Sequence, residues 1–254
     1  MILTELEIHT WLVAAVFIGA AVAAFILQFL SAPYGRHGRV GWGPTVPNRL
    51  GWIIMEAPTV VVYVAVYVQG DHAWEAAPLA LLGLWQLHYV HRTFIFPFRL
   101  RKTDKRFPIS LALIAVVFNT VNAYVNARWI SQFGTYAPGW FADPRFIIGV
   151  GLFLLGEAIN HHSDYVLLNL RKPGETAYKI PTGGLYGWIT CPNYFGELVA
   201  WTGWAIAAWS LPGVSFAVFT AANLIPRAFQ NHAWYLDNFE DYPKERKVIL
   251  PFIL

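Results

Sequence analysis

The sequence predicts an all-α integral membrane protein with seven transmembrane helices, and three observations support this prediction. Hydrophobic residues make up 56% of the 254 residues, and the mean hydropathy is +0.43. Charged residues make up only 13%, whereas a soluble domain carries about 25%. Seven apolar stretches are present, each close to the roughly 20 residues that a membrane helix needs. Seven such spans with short connections account for the 254 residues, so we expect no separate soluble domain.

The seven apolar stretches follow one another with short connections. They cover residues 8–30 and, roughly, 50–69, 77–98, 108–132, 145–169, 194–211 and 213–230. Several contain Pro or Gly, which membrane helices tolerate where neighbouring elements satisfy the freed backbone groups. The first stretch follows Glu5 and Glu7 rather than basic residues, and it is longer than a signal-peptide core. We therefore expect a retained first span.

Lys and Arg are concentrated in alternate loops. They are Arg36, Arg39 and Arg49 in loop one, Arg99, Arg101, Lys102, Lys105 and Arg106 in loop three, Arg171, Lys172 and Lys179 in loop five, and Lys244, Arg246 and Lys247 in the tail. The positive-inside rule then predicts an outside N-terminus and a cytoplasmic C-terminus, which an odd number of spans requires. We expect a multi-pass protein of a bacterial inner membrane, or of the endoplasmic reticulum in a eukaryote.

Two ionisable side chains in the second and third stretches are candidates for chemistry. Glu56 lies within "GWIIMEAPTVVV", where an apolar surrounding favours the protonated acid, a potential hydrogen-bond donor to a substrate carbonyl. The alternative is a carboxyl group that a neighbouring helix satisfies. Tyr89 lies within "WQLHYVHRTFIFPF" and has a phenolic proton to donate. Its alternative is aromatic packing between helices.

The fifth stretch carries a polar stripe. Glu157, Asn160, His161 and Asp164 follow the spacing i, i+3, i+4 and i+7, which places them on one helix face leading to Arg171. Such a stripe cannot face lipid, so it lines a cavity or a polar interface. We expect a ligand there.

The segment 171–197 is long, polar and rich in Gly and Pro, which is typical of a functional loop. Gly183 and Gly184 permit close backbone approach to a ligand. Its basic residues and Tyr178 are suited to phosphates and a ring. No G-x-G-x-x-G fingerprint of a dinucleotide-binding fold is present.

A metal site is not expected. The single cysteine, Cys191, excludes an intramolecular disulfide and a cysteine-based cluster. The pairs His88-x-x-His91 and His161-His162 resemble the histidine boxes of membrane di-iron enzymes, but the chain has only eight His. Too few remain at suitable positions to hold two irons.

Several motifs together resemble the steroid 5α-reductase family. They are "YGRHG", "LHYVHRTFIFPF", "DPRFIIGVGLFLLGEAINHHSDYVLLNLRKPGE", "YKIPTGGLY", "NYFGE" and "FEDYPKERKVILPFIL". The resemblance covers nearly the whole chain, which looks like a bacterial-type homologue. It implies one seven-helix domain over 1–254, with substrate held by about 1–135 and NADPH by about 136–254.

The resemblance also implies site residues. Glu56 and Tyr89 match the pair that grips the substrate's 3-oxo group. The expected cofactor residues are Asn160, Asp164, Arg171, Tyr178, Asn193, Glu197, Arg227, Asn231 and Tyr235. Two positions depart from the family: Asn231 replaces a histidine, and Ile114 stands where animal members have an arginine.

The implied reaction is NADPH-dependent reduction of the Δ4 double bond of a 3-oxo-Δ4-steroid, with hydride to C5 and a proton to C4. Candidate walls for a steroid-like substrate entering from the lipid are Trp52, Phe118, Trp201 and Phe219. NADPH would come from the cytosol, and we expect neither nucleic acid nor an obligate protein partner. Two alternatives remain open: an S-adenosylmethionine-dependent methyltransferase of the isoprenylcysteine type, and a non-enzymatic sterol binder or transporter.

A cofactor phosphate calls for a basic residue at the cytosolic face. Arg171 is the best candidate, because it follows the polar stripe and matches a cofactor residue of the family. Arg36 and Lys105 are weaker candidates, and a purely topological role explains them equally well.

Overall fold

The computed structural model describes residues 3–33, 35–100, 106–172, 174–175 and 177–254. Seven helices of fifteen or more residues occur within these ranges. They are α1 Glu5–Phe29, α2 Asn48–Tyr67, α3 Ala76–Val90, α5 Ile109–Arg128, α6 Pro144–Asn169, α7 Pro192–Ala208 and α8 Leu211–Asn238; the short α4, Phe96–Arg99, follows α3. Each predicted apolar stretch overlaps one long helix, but the predicted stretch 77–98 is divided, since α3 ends at Val90 and a π-helical turn and α4 follow it.

In the part of the chain that the structure describes, three helical segments are long and apolar enough to cross a membrane: Glu5–Phe29, Asn48–Tyr67 and Ile109–Phe133. The described part of the chain is mostly helical, which is consistent with a helical membrane protein. Large apolar side chains such as Ile18, Phe25 and Ile148 are exposed on its outer surface, where lipid would cover them.

Helix starts follow from local capping. Thr4 and Glu7 form a reciprocal capping box at α1, and the Ser210 hydroxyl accepts from the Gly213 amide at α8. Asp143 caps α6, where Pro144 is the first residue. The Arg145 guanidinium, 2.7 Å from Asp143 Oδ2, together with the Arg145 amide lowers the pKa of Asp143 to about 2.

Two features were not predicted. A π-helical turn, His91–Ile95, links α3 to α4, and another, Trp129–Phe133, extends α5. A two-stranded antiparallel ribbon pairs β1, Thr45–Pro47, with β2, Arg106–Pro108. The all-α prediction omitted this ribbon because each strand is three residues long and ends in Pro. Lys105, with Arg101 and Lys102, lies outside the described residues.

Glycines allow α6 and α7 to pack backbone against backbone. A Cβ atom on Gly156 would lie 2.3 Å from the Ala200 amide nitrogen, and one on Gly203 would lie 2.4 Å from that of Phe153. Gly149 and Gly196 make the same kind of contact. This close approach brings the polar stripe of α6 against the first turns of α7. Elsewhere α2 packs along α5, and α1 along α8.

An aromatic cluster fills the interior between α2, α3, α7 and α8. Trp85 lies at its centre and stacks on Tyr63, with 4.5 Å between ring centroids, while Trp201 and Trp204 contact it from α7 at 5.4 and 5.2 Å. The Trp85 indole donates to the Thr59 carbonyl at 2.8 Å. All four rings are fully buried, so the cluster forms a rigid floor beneath the polar residues described next.

Candidate active site

Tyr89 lies where the aromatic cluster meets buried polar groups. Its ring centroid is 4.9 Å from that of Trp85 and 5.5 Å from that of Trp201. Both neighbours hold the ring in place, and Tyr89 is almost entirely buried. Within the described residues, its hydroxyl group has no hydrogen-bond partner, which leaves it available to a ligand.

Glu56 lies two residues before Pro58 in α2. Its carboxyl oxygen Oε2 is 3.5 Å from the Asn119 side-chain nitrogen of α5, which also donates to the Met55 carbonyl at 2.6 Å. The Glu56 carbonyl accepts from the Thr59 hydroxyl. No hydrogen bond joins Glu56 to Tyr89 in the described part of the chain, so both groups remain free to act on a third.

His88, beside Tyr89, links α3 to the other half of the molecule. Its Nδ1 is 2.7 Å from Glu157 Oε1 of α6, and its Nε2 is 3.8 Å from Glu197 Oε2 of α7. Its ring lies edge-on to Trp201 at 4.7 Å. With 3% exposure, His88 is enclosed between two carboxyl groups.

Arg92, one turn after His88, makes a second link. Its guanidinium nitrogens lie 3.2 Å from Asp164 Oδ2 and 3.5 Å from Glu197 Oε1. The guanidinium group lies over the ring of Trp52, at 5.0 Å, and over that of Phe96, at 4.7 Å. Arg92 therefore neutralises part of the negative charge that α6 and α7 bring to the interior.

Asn160 and Asn193 complete this buried polar network. The Asn160 amide donates to the Asn193 carbonyl at 3.0 Å and lies 3.3 Å from Glu197 Oε1. The Asn193 amide is 3.4 Å from Asp164 Oδ1. The predicted stripe is thus an interface with α7, in which Glu157, Asn160 and Asp164 are buried and His161 lies at the margin.

A pocket opens beside Asn193. Its described lining residues are Ala32, Gly35, Arg36, His37, Leu167, Tyr186, Thr190, Cys191, Asn193, Tyr194, Arg227, Gln230, Asn231 and Tyr235. This lining contains two arginines and a histidine and no acidic residue, which suits an anionic ligand. Loop one contributes Arg36 and His37, so the pocket does not belong to the C-terminal half alone.

Arg36 packs against aromatic side chains of α8 at this pocket. Its guanidinium lies over the rings of Tyr235 at 4.5 Å and Trp234 at 4.8 Å, and Nη2 donates to the Tyr235 hydroxyl at 3.2 Å. Nη1 is buried and has no hydrogen-bond partner among the described residues. Such a donor calls for an acceptor from a ligand.

The remaining predicted cofactor residues continue the same surface. Arg171 lies over the Tyr178 ring at 5.3 Å, and Tyr178 meets Trp234 edge-on at 5.0 Å. On the pocket wall, the Asn231 side-chain oxygen is 3.1 Å from His37 Nε2, and the Arg227 guanidinium is 5.5 Å from the Tyr194 ring centroid. All nine predicted cofactor positions therefore lie in one connected region.

The predicted substrate walls divide into two groups. Trp52 and Trp201 contact the buried network, since the Trp52 indole donates to the Arg92 carbonyl and the Trp201 indole to Glu197 Oε2. Phe118 and Phe219 stack on each other at 3.7 Å, farther along α5 and α8. Ile114, one turn before Phe118, is 63% exposed on the outer surface.

Sequence reasoning gave no role to three residues that the structure places in the network: His88, Arg92 and Asn119. Two signals pointed to them. His88 and Arg92 are four residues apart on the helix that carries Tyr89. Asn119, Asn122 and Asn126 follow the spacing i, i+3 and i+7, a polar stripe within an apolar helix.

Comparison of the sequence with known proteins identifies the family of this chain. Residues 105–254 match the family described as 3-oxo-5-alpha-steroid 4-dehydrogenase. The chain is 42% identical over 249 residues to steroid 5-alpha-reductase DET2 of Arabidopsis thaliana, covering 95% of each. It is 45% identical to 3-oxo-5-alpha-steroid 4-dehydrogenase 1 of Rattus norvegicus, covering 92% of this chain and 91% of that protein, and 44% identical to that of Homo sapiens, covering 93% and 91%. The chain belongs to the 3-oxo-5-alpha-steroid 4-dehydrogenase family.

Proposed function

We propose that this protein reduces the Δ4 double bond of 3-oxo-Δ4-steroids with NADPH, adding hydride to C5 and a proton to C4 to give 5α-reduced products. Its similarity to proteins named steroid 5-alpha-reductase makes it an oxidoreductase of steroid metabolism. The observation that carries the proposal is the series of buried polar contacts from His88, beside Tyr89, to the cationic pocket around Arg36. It runs through Glu197, Arg92 and Asp164 to Asn193, which lines that pocket.

Seven membrane spans are part of the proposal, with the N-terminus outside and the C-terminus in the cytoplasm. Three helices meet the length and hydropathy that a span requires. The other four long helices coincide with apolar stretches, and the alternation of basic loops favours this orientation. The pocket around Arg36 and Arg171 would then open towards the cytosol, where NADPH is available.

The residues around the pocket fit a phosphorylated dinucleotide. Arg36 has a buried donor without a partner, Arg227 adds a second cation, and the lining is free of acidic residues in the described part of the chain. Arg171 and Tyr178 extend the surface for the phosphates and a ring. Asn160, Asp164, Asn193 and Glu197 would hold the nicotinamide end near Tyr89. When bound, NADPH supplies the hydride that this reaction needs.

Tyr89 and Glu56 would act on the steroid. Negative charge develops on the 3-oxo oxygen as C5 gains hydride, and the Tyr89 hydroxyl donates a hydrogen bond to that oxygen. Glu56, held by Asn119, supports this contact from α2. The aromatic cluster below Tyr89 excludes water, so the hydrogen bond acts in a medium of low dielectric constant.

The substrate would enter from the lipid. Phe118 and Phe219 form an apolar contact between α5 and α8 that the substrate would have to part, and Trp52 and Trp201 lie beside the buried polar groups. A rigid apolar ring system with one ketone fits such a route, because only its oxygen needs a polar partner.

Ligand protection separates this proposal from its alternatives. The purified protein in nanodiscs is heated with NADPH, with S-adenosylmethionine, or with a 3-oxo-Δ4-steroid alone. We expect protection by NADPH, and loss of NADPH absorbance after the steroid is added. Protection by S-adenosylmethionine would favour a methyltransferase, and protection by steroid without NADPH oxidation would favour a binder or transporter.

A further inference from the structure

We propose that His161, Glu157 and His88 form a proton relay that carries to the active site the proton that each reduction consumes. The inference rests on the proposed function, in which hydride comes from the cofactor and the proton from another source. Because the side chains of the site are buried, a chain of titratable groups that reaches a more exposed position can supply the proton.

The spacing of the three groups suits proton transfer. His161 Nε2 lies 3.5 Å from Glu157 Oε2, and Glu157 Oε1 lies 2.7 Å from His88 Nδ1. On its other side, His88 Nε2 faces Glu197 Oε2 at 3.8 Å. Each proton transfer along the chain therefore covers one short distance between neighbouring groups. At its end, the ring of His88 is 4.9 Å from the ring of Tyr89.

The two ends of the chain differ in exposure. The His161 side chain is 38% exposed, whereas those of Glu157 and His88 are 7% and 4% exposed. His161 lies eight residues before the end of α6, about 12 Å along the helix axis. Its ring is 4.1 Å from that of His91, so a second histidine accompanies the entry point.

The buried network contains more acidic groups than cations, so some of its groups must hold a proton. Glu56, Glu157, Asp164 and Glu197 bring four carboxyl groups, and Arg92 forms ion pairs with two of them, Asp164 and Glu197. Uncompensated buried charges are strongly destabilising. Protons held by His88 and the carboxyl groups relieve this imbalance, which makes the network a proton store.

The transfer conserves atoms and charge. His88 Nδ1–H donates to Glu157 Oε1, and His88 begins as the imidazolium. Its Nε2–H bond breaks as the electron pair of the substrate enolate forms the new C–H bond. Rotation of the neutral imidazole ring then presents its unprotonated nitrogen to Glu157. The N–H bond of the His161 imidazolium breaks as an O–H bond forms on Glu157 Oε2, and rotation of the carboxyl group presents that proton to His88. The O–H bond breaks as an N–H bond forms on His88, which restores the imidazolium.

Isotope effects distinguish this role from a structural one. Glu157→Gln retains a hydrogen-bonding side chain but cannot carry the proton, and His161→Gln removes the entry point at an exposed position. His72→Gln is the matched control, because His72 pairs with Glu75 before α3 and is separated from His88 by the length of that helix. NADPH affinity, kcat, the solvent deuterium isotope effect and the effect of deuterated NADPH are measured for each.

We expect Glu157→Gln to lower kcat by roughly 10²-fold, the lower range for general acid–base catalysis, and His161→Gln to lower it less. In both, the solvent isotope effect should rise and the effect of deuterated NADPH should shrink, because proton delivery becomes limiting. The NADPH Kd should match that of His72→Gln.

Unchanged kcat in both variants would overturn the relay. So would a lower kcat with an undiminished effect of deuterated NADPH, since hydride transfer would then still be limiting. If Glu157→Gln fails to fold, the comparison of His161→Gln with the control His72→Gln tests the relay by itself. A lack of turnover in the unmodified protein would overturn the proposed function and the relay with it, whereas variant effects alone concern the relay.

Discussion

The Tyr89 ring packs against Trp85 and Trp201, and its hydroxyl group has no hydrogen-bond partner in the described residues. We predict that Tyr89→Phe lowers kcat by roughly 10²–10³-fold, the loss typical of one oxyanion donor. The ring packing is retained, so the melting temperature and the NADPH Kd should change little. Steady-state kinetics and NADPH titration check this, and near-normal kcat would exclude Tyr89 as the donor.

Arg36 gives a second prediction at the scale of single residues. Its buried Nη1 needs an acceptor, and a charged hydrogen bond to phosphate contributes about 1.5–3 kcal/mol. Arg36→Ala should therefore raise the NADPH Kd about tenfold or more. Arg39→Ala is the matched control, because Arg39 is exposed and donates to the Ser31 carbonyl. Equal affinities in the two variants would remove Arg36 from the cofactor site.

Individual residues show where sequence reasoning succeeds and where it stops. The stripe of Glu157, Asn160, His161 and Asp164 was predicted to line a ligand cavity or a polar interface, because helical periodicity alone defines a face. The structure shows an interface with α7. Arg36 was ranked below Arg171, because a basic residue in a loop is consistent with topology alone. Only the folded chain brings Arg36 against Tyr235 of α8, about 200 positions later in the sequence.

At the scale of elements, the contact between α6 and α7 determines the site. Gly156 precedes Glu157, and a Cβ atom there would collide with backbone atoms of α7. Gly156→Ala should lower the free energy of unfolding by about 1–3 kcal/mol, as overpacking does, and displace Glu157 from His88. Gly151→Ala, on the same helix with open space around its Cβ position, should be neutral. Thermal unfolding of both variants in detergent checks this, and equal stabilities would contradict it.

Elements were largely predictable here, since long apolar stretches have few alternatives to helices in a membrane. The segments that interrupt or connect the helices were less predictable. The ribbon of Thr45–Pro47 and Arg106–Pro108 pairs segments about sixty residues apart, and no local pattern encodes that pairing. The loop predicted over 171–197 ends earlier, because Pro192 begins α7 and places Asn193 and Glu197 on a helix.

At the scale of the whole molecule, the topology is testable with introduced cysteines. Cys191 gives a low background, because burial raises the pKa of its thiol to about 12. Val40 in loop one is 97% exposed, and Trp74 in loop two is 75% exposed. We predict that Val40→Cys reacts with an impermeant maleimide only from the cytoplasmic side and Trp74→Cys only from the outside. Labelling of both from one side would contradict the proposed arrangement of spans.

The whole account depends on where the hydride goes. The direct measurement is reduction of a 3-oxo-Δ4-steroid by the purified protein with NADPH deuterated at the transferred position, followed by magnetic resonance and mass analysis of the product. The account predicts one deuterium at C5 in the 5α configuration and one solvent-derived hydrogen at C4. Deuterium on the carbon of the 3-oxo group, a 5β product, or no transfer from NADPH would contradict it.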